Sequence, residues 1–205
     1  MAQGPKTQGG SAASPNQASE DAQRTEDMLD IIVSDFYGLA SALVGEGEES
    51  AAVVEAAVAA ADLDCGCNAA VVRKSSYKVL AAEAFKVMER RQPGSLAAPE
   101  GIKADDVCIE EDEIESAGIS GAEFGRMLVG PERERVRQWL EKLPVAQRTV
   151  FVLRGMAGLD SAETADLLKA SSAPGAGAWS REAVREIFRI GLCSLASQLL
   201  HARNN

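Results

Sequence analysis

Apolar residues recur at helical spacing from Glu26 onward, with Leu29, Ile32, Val33, Phe36, Leu39, Ala40 and Leu43 on one face of a predicted helix. Gly45 and Gly47 end it. A second, alanine-rich helix is expected from about Glu49 to Asp62, with Val53, Val54, Ala57 and Val58 inward. A Cys-Gly-Cys-Asn turn leads to a third from Ala69 to Arg91, offering Val72, Val79, Leu80, Ala84 and Val87 to the same core. Pro93-Gly94 and Pro99 close this set, and the acidic run from Asp105 to Glu115 reads as a solvated linker, with a short helix around Ala122–Val129.

After Gly130-Pro131 the pattern resumes. Val136, Trp139 and Leu140 belong to a helix over Glu132–Leu140, with Pro131 near its first turn, where a missing N–H costs nothing. Val150, Phe151 and Leu153 line a helix over Val145–Met156. Asp160-Ser-Ala-Glu163 has the form of a capping box: a short acceptor at the N-cap, and a carboxylate three residues on that reaches back. The helix it opens carries Leu159, Ala162, Ala165, Leu167 and Leu168 as packing residues. A last helix starts after Ser180, an N-cap residue type, and runs to about His201. Val184, Ile187, Phe188, Gly191, Leu192 and Leu195 form its apolar stripe, with Arg181, Arg185 and Arg189 on a neighbouring stripe expected to face outward. The last two of these helices form a candidate helix-turn-helix, although ten residues, Ala170 to Trp179, stand in the turn. The simplest role for Trp179 is to tack that loop onto the core.

Composition agrees with an all-α protein: 46% of the 205 residues are hydrophobic and only 4% aromatic, and β-branched residues show no sustained alternation. Residues 1–24 are rich in Gly, Ser, Ala, Gln and Pro and read as a disordered tail. The expected division is therefore a tail (1–24), a helical domain (25–92), an acidic linker (93–130) and a helix-turn-helix domain (131–205). No apolar run is long enough for a membrane span and the N-terminus has no signal-peptide core, so a cytoplasmic protein is expected. The net charge of −10 argues against nucleic acid until it is divided along the chain. From Pro131 to Asn205 there are 11 Lys+Arg against 8 Asp+Glu, a net +3, which leaves −13 for the first 130 residues. The acidic run is most simply a solubilising segment; shielding of the basic unit or mimicry of nucleic acid charge is the alternative.

Cys65, Cys67, Cys108 and Cys193 are expected as reduced thiols, and with His201 the single histidine the usual zinc spacing is absent, so no cofactor is expected. No Gly-rich phosphate loop and no nucleophile beside a base argue for an enzyme.

Leu143-Pro144, Gln147-Arg148, Phe151-Val-Leu-Arg154, Gly158-Leu159, Glu163 and Ala165, in that order and spacing and followed by the helix to Leu195, resemble region 4 of the sigma-70 family, most of all its extracytoplasmic-function (ECF) type. Asp35-Phe-Tyr-Gly-Leu-Ala-Ser-Ala-Leu-Val-Gly-Glu-Gly-Glu-Glu49, leading into Val53-Val54-Glu55, resembles the first part of sigma region 2. The resemblance implies a transcription initiation factor, not an enzyme. Such a factor binds core RNA polymerase and recognises promoter DNA, region 2 at the −10 element and region 4 at the −35 element. It implies DNA contacts by Arg181, Arg185 and Arg189, with Ser180 and Glu182 next in reach. Where the family has polar polymerase contacts this chain has Ala51, Ala52, Glu55 and Ala56, which leaves Glu55 as the candidate. Arg73, Lys74, Tyr77, Lys78, Phe85, Lys86, Arg90 and Arg91 are the residues available for promoter melting, with Tyr77 and Phe85 equally readable as core. An anti-sigma protein is a further partner the resemblance leaves open. The alternative, from a different class, is a diverged sigma-like module for regulatory protein–protein interaction without promoter recognition.

Overall fold

The computed structural model describes residues 33–60, 69–99 and 133–203, and the side chains of 69, 70, 133 and 196–203 fall outside that description. Among the described residues every regular element is helical. In order they are α1 (33–44), α2 (Glu48–Ala60), α3 (Ala69–Arg91), α4 (Arg133–Lys142), α5 (Val145–Gly155), α6 (Ser161–Lys169) and α7 (Arg181–Arg203). A short 3₁₀ turn, Ala176–Ala178, precedes α7. The expected tail, the Cys65-Gly-Cys67 turn, the acidic linker and the short helix at Ala122–Val129 lie outside the described residues.

The apolar spacing of α1 to α3 produces one core. Phe36, Leu39, Ala40 and Leu43 meet Val53, Val54 and Ala57 from α2 and Tyr77, Leu80, Ala84, Phe85 and Val87 from α3, all buried. The Phe36 and Tyr77 rings meet tilted, their centroids 5.7 Å apart. Val33 and Val58, expected inward, are exposed instead. Each sits at the edge of its helix's apolar arc. Tyr77 and Phe85 resolve as core residues, so neither is placed to stack on unpaired bases.

A second core is aromatic. Trp139 of α4 meets Phe151 of α5 edge-on at 4.8 Å, and Phe151 in turn stacks against Phe188 of α7 at 5.3 Å. Two polar groups at the rim are paired: the Trp139 indole N–H donates to the Ser194 hydroxyl over 2.9 Å, and the Arg154 guanidinium lies 4.7 Å over the Phe188 ring while donating to the Ser161 hydroxyl. Arg154 thus ties α5 to α6 and α7 at once. Gly191 permits the close crossing of α5 and α7, since a Cβ there would stand 2.7 Å from Phe151 Cδ2. Ala162, expected as a packing residue of α6, is exposed. It sits at the helix start beside the cap, beyond the arc that α5 and α7 cover.

The ten-residue connection after α6 is ordered by its own chemistry. The Ser171 hydroxyl donates to the Leu168 carbonyl at 2.6 Å, and Gly175 takes a left-handed φ of 79° before the 3₁₀ turn. Trp179 then turns inward at 1% exposure and donates its indole N–H to the Leu96 carbonyl over 2.8 Å. That carbonyl is held in place by Glu89, whose carboxylate accepts from the backbone N–H groups of Gly94 and Leu96 at 2.9 and 3.2 Å. The expectation that Trp179 tacks the loop down is met, and the surface it meets is the turn that follows α3.

Two substitutions test this packing. Gly191→Ala adds a methyl against a ring with no room to move; overpacking of about 1–3 kcal/mol exceeds the roughly 1 kcal/mol that alanine returns to a helix. The net change expected in denaturant unfolding is a loss on the order of 1 kcal/mol. Trp179→Phe keeps most of the apolar volume and orphans the Leu96 carbonyl, with an expected loss of about 1–3 kcal/mol.

Candidate nucleic-acid interface

The sequence-defined capping box forms with both halves present. Asp160 Oδ1 accepts from the N–H groups of Ala162 and Glu163 at 2.8 and 2.9 Å, and the Glu163 carboxylate accepts from the Asp160 N–H at 3.0 Å. The first turn of α6 is thereby closed locally. Ser180 caps α7 in the same way, its hydroxyl accepting from the Ala183 N–H at 3.0 Å. Helices α6 and α7 pack on each other and on α5, with Val184, Ile187, Leu192 and Leu195 buried beneath.

Of the five predicted DNA-contacting residues, Arg181, Glu182 and Arg185 are exposed together at the start of α7. The Glu182 carboxyl is held below its usual pKa by its own backbone N–H and the Ser180 hydroxyl, and further by the charges of Arg181 and Arg185. Ser180 spends its hydroxyl on the helix cap, so its first role is to start α7 rather than to read a base. Arg189 departs from the expected outward stripe. Its side chain is only 11% exposed, drawn back along the helix by the Glu186 carboxylate, which lies 3.1 Å from its Nη1. Glu55 is exposed on α2, and so are its neighbours Ala51, Ala52 and Ala56.

Most of the basic residues expected to serve promoter melting are engaged in pairs. Arg73 donates to the Tyr77 hydroxyl at 2.8 Å, Lys86 pairs with Glu83 at 2.6 Å, and Arg91 pairs with Glu49 and the Val44 carbonyl. Lys74 and Lys78 converge on Glu163, their Nζ atoms 2.5 and 2.9 Å from its two carboxylate oxygens. Partial burial acts to raise the Glu163 pKa; hydrogen bonds from Lys74, the Asp160 N–H and Lys78, with the Lys78 charge, outweigh it and hold the carboxyl at about 2. Both lysines keep 39% of their side-chain exposure, so each pair contributes no more than about 1 kcal/mol.

Sequence reasoning missed two features. Burial lowers the pKa of Arg148, with Glu141 opposing and the charge of Arg91 adding to the shift, and its Nε has no hydrogen-bond partner. Cys193 is disulfide-bonded, where reduced thiols are expected. Spacing along the chain carries no signal for either, since both depend on which segments the fold brings alongside. Among the described residues no cluster of His, Cys, Asp or Glu could hold a metal, and no helix is long and apolar enough to cross a membrane.

No family model, curated protein or solved structure matches this chain.

Because Glu163 is depressed from 4.5 to about 2, the stability its ion pairs supply is fully present above about pH 4.5 and is lost as pH falls toward 2. Glu163→Gln keeps a side chain able to complete the capping box. The stability gap between wild type and Glu163→Gln, read from urea melts, is expected to close between pH 5 and pH 2; a gap constant over that range refutes the assignment. Ser180→Ala is expected to cost about 1 kcal/mol in the same measurement, with Ser180→Asp near wild type.

Proposed function

We propose that this chain is a sigma-70-like, ECF-type transcription initiation factor that binds core RNA polymerase and recognises promoter DNA through its C-terminal helix-turn-helix. In this reading α1 to α3 form the region 2-like domain, α4 to α7 the region 4-like domain, and the acidic stretch between them the linker. The factor works in the cytoplasm and catalyses nothing itself.

The observation that carries the proposal is the pair of capped helices α6 and α7 on an aromatic core, with Arg181 and Arg185 exposed at the leading end of α7. A recognition helix reads base edges with its N-terminal residues while the preceding helix crosses the backbone. Arginine suits both tasks, pairing bidentately with guanine and with phosphate. Arg189, turned into its ion pair with Glu186, supports α7 from behind rather than joining that set.

A second reading draws on α2. The exposed Ala51, Ala52 and Ala56 around Glu55 leave little polar chemistry for polymerase, as expected of a diverged sigma-like module that binds a regulatory protein, such as an anti-sigma factor, instead.

Co-elution of the purified protein with core polymerase, together with promoter-specific transcription in vitro, is the expected result. Failure of both beside a functional control sigma factor supports the second reading. Arg185→Ala is expected to weaken binding to its DNA site by about 1–3 kcal/mol, measured by fluorescence anisotropy at fixed salt.

A further inference from the structure

Arg154, in the last turn of α5, is held by two other helices at once. Its guanidinium lies 4.7 Å over the Phe188 ring of α7, while its Nη1 donates to the hydroxyl of Ser161, the first residue of α6. Ser161 is 5% exposed, so water has little room to stand in for that donor, and the Phe188 ring also meets Phe151 with centroids 5.3 Å apart. A guanidinium is a rigid plane with donors in a fixed fork. With its face on α7 and its edge on α6, one group couples the orientation of both. A lysine ammonium carries the same charge but has neither the plane nor the fork.

From this we infer that Arg154 is a positioning residue for sequence discrimination by α7, acting through Phe188 on the orientation of that helix and through Ser161 on the start of α6. The inference rests on the proposed role of α6 and α7 in binding DNA. Arg185 precedes Phe188 by three residues, a spacing that makes the two side chains neighbours on the helix surface, and Arg181 lies a further turn back. At a helix radius of about 5–6 Å, a rotation of α7 by about 20° carries surface groups roughly 2 Å sideways. Bidentate pairing of a guanidinium with a base edge tolerates less than that, because hydrogen bonds weaken steeply away from their preferred distance and angle. Attraction to the phosphate backbone depends on charge rather than on an aligned pair of hydrogen bonds, and it survives such a rotation. Disturbing Arg154 therefore falls on the choice between sequences, while charge-driven binding is kept.

The test uses the full chain, a duplex that the wild-type protein selects from a randomised pool, and a scrambled duplex of equal length as the non-specific probe. Arg154→Lys keeps the charge and loses the shared plane; Ser161→Ala removes only the acceptor. Arg154→Lys is expected to lower affinity for the selected duplex roughly tenfold, with scrambled-duplex affinity and the salt dependence of binding as in wild type. Ser161→Ala is expected to lower discrimination by a smaller factor and to add little to Arg154→Lys, because the two residues share one contact. Should Arg154→Lys leave part of the chain unfolded in urea melts, Ser161→Ala carries the test alone. Unchanged discrimination overturns the positioning role, and so does an equal fall on both duplexes, the mark of a direct phosphate contact. Arg185→Ala addresses the underlying reading separately. Discrimination that survives Arg185→Ala and is lost in Arg154→Lys refutes α7 as the reading helix, while the coupling of Arg154 to Ser161, read as non-additivity of their variants in urea melts, stands. A pool that yields no preferred duplex overturns the reading and the positioning role together.

Discussion

The arrangement of α6 and α7 depends on the burial of one indole. Trp179 brings a large apolar surface and a single donor into a site where water cannot satisfy that donor, so the site must supply an acceptor. The Leu96 carbonyl does so, because Glu89 has already bent the chain after α3 into a turn that leaves this carbonyl free. A long connection between two packed helices would ordinarily loosen their relation. Here the ten residues carry their own hydrogen bonds and a left-handed glycine, and end in a buried tryptophan just before α7 begins.

Glu163 shows how one side chain serves two levels of structure. One of its oxygens accepts the Asp160 N–H and closes the capping box, a local device whose geometry follows from four consecutive residues. The same carboxylate gathers two lysines from a distant helix, and their combined hydrogen bonds and charge overcome the penalty of partial burial. The cap is robust because every participant is a near neighbour. The lysine contacts are marginal because long, half-exposed side chains lose entropy to meet and remain open to solvent.

Much of the fold was legible in the periodicity. The third helix spans Ala69–Arg91 as expected, α5 starts at Val145, and α6 and α7 begin after the caps read at Asp160 and Ser180. The candidate site was less so. Arg181, Glu182 and Arg185 are on the exposed start of α7, whereas Arg189 is withdrawn and Ser180 is committed to its cap. Helical spacing places residues on an arc, but which of them stay outward also depends on the partner each side chain finds, and Arg189 finds Glu186.

By itself the sequence determined the all-helical character of the described residues, the caps, and the identity of most core positions, because each follows from interactions within a turn or two of helix. Only the tertiary structure decided what Trp179 packs on, which acid holds Lys74 and Lys78, that Arg189 turns inward and that Cys193 is oxidised. Those outcomes depend on groups that are far apart along the chain, and local pattern carries no information about which distant surface a side chain will meet.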